Sequence, residues 1–369
     1  MVAWLLLPAV LGLAEARAER WIGAGGDLTW NNPHNWVPNT VPGPNSVVYV
    51  DHEILLNVDA TIGVLFLDPA ASGNSMGGIS PFGGRDMTLT AGILNNNGGI
   101  FRLNASGITL NPSGLGEAFL NGNGQIFMQD SAANFIKATG GVIFHDAAHT
   151  IVGSGNLLQN ACGMVNNGTI LAAATVLTND LGELVMSNAL VIDPGGTNNT
   201  FVNHGVLEAR GAAGLELRAG VFEMGTNVVT VYGGSKLVVG GGAVLRGGRY
   251  RTLTDPPPPL PGAVARALAG LAGPGLPEGA IKPLSDAVFE GTVLDGRVVQ
   301  ENYRWPIIRG GLENNGVWFI NSGGSTTRLW YDGTQAITGS GRIELNDSAN
   351  NQIIPSNADD VLTNGPDHT

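Results

Sequence analysis

Short apolar runs, separated by Gly and Asn, recur along almost the whole chain: SVVYV, GITL, GVIF, GTILAAATVL, ELVM, NVVTVY, KLVVGGGAVL and GVWFI. They are rich in β-branched residues, many alternate apolar with polar, and none sustains a helical period. This pattern predicts strands throughout. So many strands without intervening helices predict an all-β architecture. Between the runs a smaller pattern repeats, Asn-x-Gly-x-apolar: NNGGI from Asn96, NNGTI from Asn166, NHGVL from Asn203 and NNGVW from Asn314. Asn and Gly tolerate left-handed backbone, so each copy predicts a tight corner feeding a strand.

A longer phrase is also written twice. LNGNGQIFMQDSAANFI begins at Leu120 and ITGSGRIELNDSANNQI at Ile337, both fitting Gly-x-Gly-x-Ile-x-(Met/Leu)-x-Asp-Ser-Ala-x-Asn-x-Ile. LNNNGGIFRLNASG from Leu94 and LENNGVWFINSGG from Leu312 precede them in the same order, so residues 94–150 and 312–369 read as two copies of one unit. The first copy runs on as HTIVGSG; the second stops at His368-Thr369, and reads as an incomplete repeat.

A pair of β-sandwiches competes with a solenoid as the architecture, but the corners are spaced too widely for a meander of two-residue hairpins. The expected fold is a parallel β-helix of roughly 20 residues per coil and on the order of 15 coils, each stacked on the last at about 4.8 Å. Apolar ladders would fill its interior and Asn would bond at its corners. Residues 255–285, DPPPPLPGAVARALAGLAGPGLPEGAIKPLS, break the pattern, because consecutive prolines lack the N–H that a ladder needs. They read as a loop bulging from one coil, the stack resuming near Ala287.

Composition narrows the function. Of 369 residues 56 are Gly, only 13% are charged and the net charge is −12. With Lys137, Lys236 and Lys282 the only lysines and no basic cluster, nucleic acid and anionic lipid are not expected partners. Cys162 is the single cysteine, which leaves no intrachain disulfide and reads as a small buried filler. MVAWLLLPAVLGLAEARAER reads as a secretory signal, residues 1–18, with Ala16-Arg17-Ala18 as the cleavage site. Its apolar stretch is too short to cross a bilayer, so no transmembrane segment is expected.

Candidate chemistry is sparse. Trp21, Trp30 and Trp36 crowd an N-terminal segment, residues 19–50, that would cap the first coil. Alternatively their faces would form a carbohydrate-stacking platform. His145-Asp146-Ala-Ala-His149 has a metal-like look, but strand-and-turn spacing does not put both imidazoles on one face, and a solvated turn is expected. The repeated Asp130-Ser131-Ala132 and Asp347-Ser348-Ala349 read as turns capped by Asp rather than as nucleophiles. No catalytic residue, metal or cofactor is assigned.

WIGAGGDLTWNNPHNWVPNTVP, together with the coil phrases ITGSGRIELNDSANNQI and VNNGTILA, resembles bacterial secreted and cell-surface β-helix proteins of planctomycete adhesin-like and autotransporter-passenger-like type. The resemblance implies a right-handed parallel β-helix over residues 51–254 and 286–369, export, surface display, and extracellular polysaccharide or cell-surface components as partners. The expected function is a non-catalytic adhesin-like structural and binding module. A polysaccharide lyase or glycoside hydrolase on the same fold is the alternative. Against it, polygalacturonase-like enzymes order Asn-Thr-Asp, Asp-Asp, Gly-His-Gly and Arg-x-Lys, whereas here Asp359-Asp360 follows His204-Gly205 and the first and last motifs are missing. Two or three acids converging on Arg102, Arg218 or Arg251 would favour the enzyme.

Overall fold

The computed structural model describes residues 17–69, 77–112, 114–173, 188–196, 199–255 and 278–369, and the backbone alone at 177–178 and 184–185. The chain divides into two compact units, Met1–Ile170 and Leu171–Thr369. No α-helix occurs among the described residues, only a single 3-10 turn at Pro33–Asn35, and no helix is long and apolar enough to cross a membrane. Each unit is built from columns of parallel strands joined by corners, the arrangement of a parallel β-helix.

In the first unit, one column runs through Arg17–Trp21, Ser46–Val50, Ala60–Leu67, Met87–Asn96, Glu117–Gly122, Val142–His145 and Gly163–Asn166, each parallel to the next. A second column contains Glu53–Leu56, Gly78–Pro81, Ile100–Leu103, Gln125–Met128 and Thr150–Gly153. Equivalent residues on successive rungs touch, so Ile54, Ile79, Phe101, Ile126 and Ile151 form one interior ladder, every member at most 1% exposed. Phe101 pairs with Ile126 and Ile126 with Ile151, a coil of 25 residues. The expected coil of about 20 is too short for this stretch, because its corners are longer than one tight turn.

The second unit repeats the plan. Phe201, Phe222, Leu245, Phe289 and Ile308 stack in register and are fully buried. Lys236–Gly240 pairs directly with Ala280–Pro283, Leu237 against Ile281, so the chain returns to the column it left after a segment of which residues 256–277 lie outside the described residues. The ladder resumes at Ala280, not near Ala287: residues 280–283 belong to the column, and Pro283 sits at its end against Val239.

The two long copies adopt the same pairing order in their respective units. Leu94 pairs with Leu120 and Leu312 with Ile337; Phe101 pairs with Ile126 and Trp318 with Ile343; Ile108 pairs with Ile136 and Leu329 with Ile353. The four corner asparagines Asn96, Asn166, Asn203 and Asn314 are each the last residue of a strand and are buried. Asn203 leads into Val206–Ala209 and Asn314 into Val317–Ile320, so the motif serves more than one column of corner. Their amides bond to backbone more than to one another: Asn96 Nδ2 donates to Gln125 O and Asn314 Nδ2 to Arg342 O, both 3.2 Å and both one coil on. The motif glycines Gly168 and Gly316 have no left-handed φ. They are glycine because a β-carbon would strike the backbone of the neighbouring coil at Asp146 and Gly296.

The tryptophan-bearing N-terminal segment is joined to the first column. Arg17–Trp21 pairs with Ser46–Val50, Trp30 N donates to Leu55 O (2.9 Å), and Trp36 Nε1 donates to Trp30 O (2.8 Å). Residues 1–16 of the expected signal segment lie outside the described residues. The other two, Arg17 and Ala18, are paired within the first strand, so cleavage after Ala18 would remove two of its four parallel pairings.

Candidate functional site

The N-terminal tryptophans offer no platform. Trp21, Trp30 and Trp36 are 2%, 1% and 0% exposed, packed edge to face with centroids 5.1 Å (Trp21–Trp36) and 4.8 Å (Trp30–Trp36) apart. A sugar ring cannot reach a covered indole face, so the stacking reading of these three is overturned. The loop around them is tied by Asp27, which accepts from Thr29 N, Thr29 Oγ1, Asn32 Nδ2 and Asn35 Nδ2. Those bonds, the two from Thr29 foremost, hold its carboxyl down to about 2.

The twice-written Asp-Ser-Ala phrase is a corner in both copies. Ala133 N donates to Ser131 Oγ (3.2 Å) and Asn350 N to Ser348 Oγ (3.3 Å). Asn134 Nδ2 donates to Gln129 O (2.6 Å), as Asn351 Nδ2 does to Asn346 O (2.9 Å). Asn134 Oδ1 accepts from Ser106 N and Asn351 Oδ1 from Ser322 N, each on the preceding coil. The paired glycines agree too. Gly122 and Gly339 hold φ of +96° and +95°, and a β-carbon would collide with the carbonyl of Asn96 or Asn314 respectively. Gly124 N donates to Asn96 O and Gly341 N to Asn314 O, both at 2.8 Å. The serines are turn residues holding backbone.

The histidine motif is not a solvated turn. His145 continues the interior ladder Leu65, Leu94, Leu120, and the next rung carries Asn166. Both His145 and His149 are 0% exposed. His145 Nδ1 donates to Asn166 Oδ1 (2.6 Å), and its Nε2 accepts from His149 Nδ1 (3.0 Å). The corner after His145 folds back far enough to bring His149 inside, which spacing counted along a strand does not anticipate. Burial pushes the His145 imidazolium down to about 4 and, with the neighbouring His145, pushes His149 well below its ordinary value. Both rings are therefore neutral near pH 7. No group of three or more metal-ligating side chains occurs among the described residues. Cys162 is buried against Ala138 N (3.2 Å), and burial pushes its thiol up to about 11.

Of the three arginines singled out, Arg102 reaches only Glu53, at 3.8 Å, and Arg251 has no acidic partner among the described residues. Arg218 does gather acids: Glu216 lies 2.7 Å away, and Asp193 interacts electrostatically with both. Burial raises the Asp193 carboxyl, and its Oδ1 has no hydrogen-bond partner among the described residues.

A second set of side chains meets on the second unit's surface without any sequence motif announcing it. Tyr303 is 57% exposed and holds φ of +61°, Trp305 lies 4.8 Å from it at 58°, and the Arg328 guanidinium lies over both the Trp305 ring (5.7 Å) and the Trp330 ring (5.6 Å). Its residues come from two strings on different coils, YRW at 303–305 and RLWY at 328–331. Only the coil register brings them together. Compared with family models, curated proteins and solved structures, the chain matches none.

Proposed function

We propose that this chain is a non-catalytic, exported β-helix that acts as an adhesin-like structural and binding module at or outside the cell surface. The observation that carries the reading is the duplicated Asp-Ser-Ala corner. Its polar residues, which alone could pass for a nucleophile and its partners, make the same backbone-holding bonds in both copies. Repeated investment in corners supports a molecule selected for a regular lateral surface. The test is turnover. Incubation with acidic and neutral polysaccharides, with and without calcium, is expected to release neither unsaturated nor reducing ends, and release of either overturns the reading.

A carbohydrate-active enzyme remains as a second reading because Asp193 and Glu216 converge on Arg218. A carboxyl raised by burial beside a guanidinium is suited to hold and deliver a proton. If that reading is right, polysaccharide cleavage will be found and Asp193→Asn will abolish it.

A further inference from the structure

On the second unit two indoles, a phenol ring and a cation with no acid partner among the described residues are held together. Three arginines of this unit are matched to acids on adjacent rungs, and Arg210, Arg218 and Arg342 to acids two residues away along the chain. Arg246 lies between Glu223 (3.0 Å) and Glu290 (3.3 Å), Arg309 bonds Asp332 (2.7 Å), and Arg249 bonds Asp295. Arg328 has no carboxylate among the described residues; its Nε donates to Gln352 Oε1 (2.9 Å), its rung neighbour, and its Nη groups remain uncommitted. Its guanidinium lies over the indoles of both Trp305 and Trp330, with Trp305 fixed by donation from Nε1 to Thr326 O (3.0 Å). Indoles so placed orient a guanidinium and hold it away from its own chain's acids without neutralising it.

Tyr303 completes the strip. A bulky residue at φ of +61° costs on the order of 1–2 kcal/mol relative to ordinary backbone, and such outliers persist only where the surroundings enforce them. Here Tyr303 N donates to Thr327 Oγ1 (3.1 Å), and Asn302 Oδ1 accepts from Gly323 N (2.8 Å) and Ser325 N (3.0 Å). The result is an aromatic ring presented to solvent rather than buried. Its phenol and the Trp330 indole N–H have no partner among the described residues. Free polar groups are thus mostly donors, arranged around one exposed ring.

We infer that Tyr303, Trp305, Arg328 and Trp330 form a binding site for a carboxylated sugar chain, the exposed Tyr303 ring carrying a pyranose face and the Arg328 fork taking its carboxylate. An aromatic face supplies apolar contact to the ring, and a planar guanidinium matches a carboxylate through two parallel hydrogen bonds. The inference rests on the binding role proposed above and names its ligand class. A uronate carries its carboxylate on the same pyranose whose CH face stacks, so one ligand residue meets both the Tyr303 ring and the guanidinium, whereas a glutamate side chain offers the carboxylate without that face, which favours the sugar.

The experiment is calorimetric titration of the full chain with a hexamer of α-1,4-linked galacturonate, its methyl ester and hexaglutamate. Binding of the free acid is expected, with the ester and the peptide each at least tenfold weaker. Arg328→Gln should weaken the free acid at least tenfold. Tyr303→Gly should weaken it comparably while the melting temperature stays level or rises, since glycine accepts the left-handed backbone. Equal binding of the ester or peptide, no binding of the acid, or full affinity in Tyr303→Gly overturns the inference. Assay of the same mixtures for new reducing or unsaturated ends reports separately on the non-catalytic reading.

Discussion

Acidification should loosen the first unit through its buried histidine pair. An imidazole in an unfolded chain titrates near 6.5, whereas the folded His145 does so at about 4 because burial opposes its charged form. Between those values the unfolded chain binds a proton that the folded chain refuses. The stabilisation is therefore complete above pH 6.5 and is lost as pH falls toward 4. At pH 5 the loss from His145 is on the order of 2 kcal/mol, rising to about 3 at pH 4. His149, also shifted down by burial and by His145, adds in the same direction. The assay is urea unfolding at pH 8, 6 and 5, comparing wild type with His145→Leu/His149→Leu, which extends the Leu65–Leu94–Leu120 ladder by one rung. The variant need not be more stable, since Asn166 Oδ1 loses its donor, but between pH 8 and pH 5 its stability should fall by at least about 2 kcal/mol less than that of the wild type. Equal pH dependence in the two proteins, or an imidazole titrating above pH 6 for either histidine in the folded state, would refute the reasoning.

Three further outcomes follow from the corners and the core. Gly122→Ala and Gly339→Ala should each destabilise by about 1–2 kcal/mol from left-handed backbone alone, and more from collision with the preceding Asn carbonyl, as read from denaturant midpoints. Asn134→Ala should cost about 1–3 kcal/mol, because Asn134 is buried and donates to both Gln129 O and Ser154 O; Asn351→Ala, at a more exposed corner, should cost less in the same measurement. Tyr250 is fully buried between Val229 and Leu294 with no partner for its hydroxyl among the described residues, so Tyr250→Phe should raise the melting temperature, by the equivalent of about 1 kcal/mol.

The ladder plan was legible because two constraints act on every coil. Interior positions are mostly apolar, and many corners need glycine, either for left-handed backbone or to let a neighbouring coil approach. Both leave marks at fixed order, which is why the copies from Leu94 and Leu312 can be aligned by eye and then found in the same pairing order. Coil length was less legible, since a corner of two residues after Asn166 and one of four after His145 serve the same column. Exposure was the weakest inference. Three tryptophans near a terminus fit a platform and a plug equally until their packing is known. His149 illustrates a related limit: its spacing from His145 says nothing about inward orientation when a corner intervenes. The Tyr303–Trp330 strip was invisible for a different reason. Its parts lie on different coils, and nothing local encodes which residues become rung neighbours.

Successive coils stack in parallel and in register, and one pair of crosslinks tests this. In the first unit Gly107 faces Phe135 and Thr109 faces Lys137 on adjacent coils. Strands stacked at about 4.8 Å bring such partners within disulfide range. In a Cys162→Ala background, Thr109→Cys with Lys137→Cys is predicted to oxidise to an intramolecular disulfide, while Thr109→Cys with Phe135→Cys, the pairing an antiparallel arrangement about Ile108 and Ile136 would require, is not. Crosslinking of the second pair in preference to the first would contradict the account.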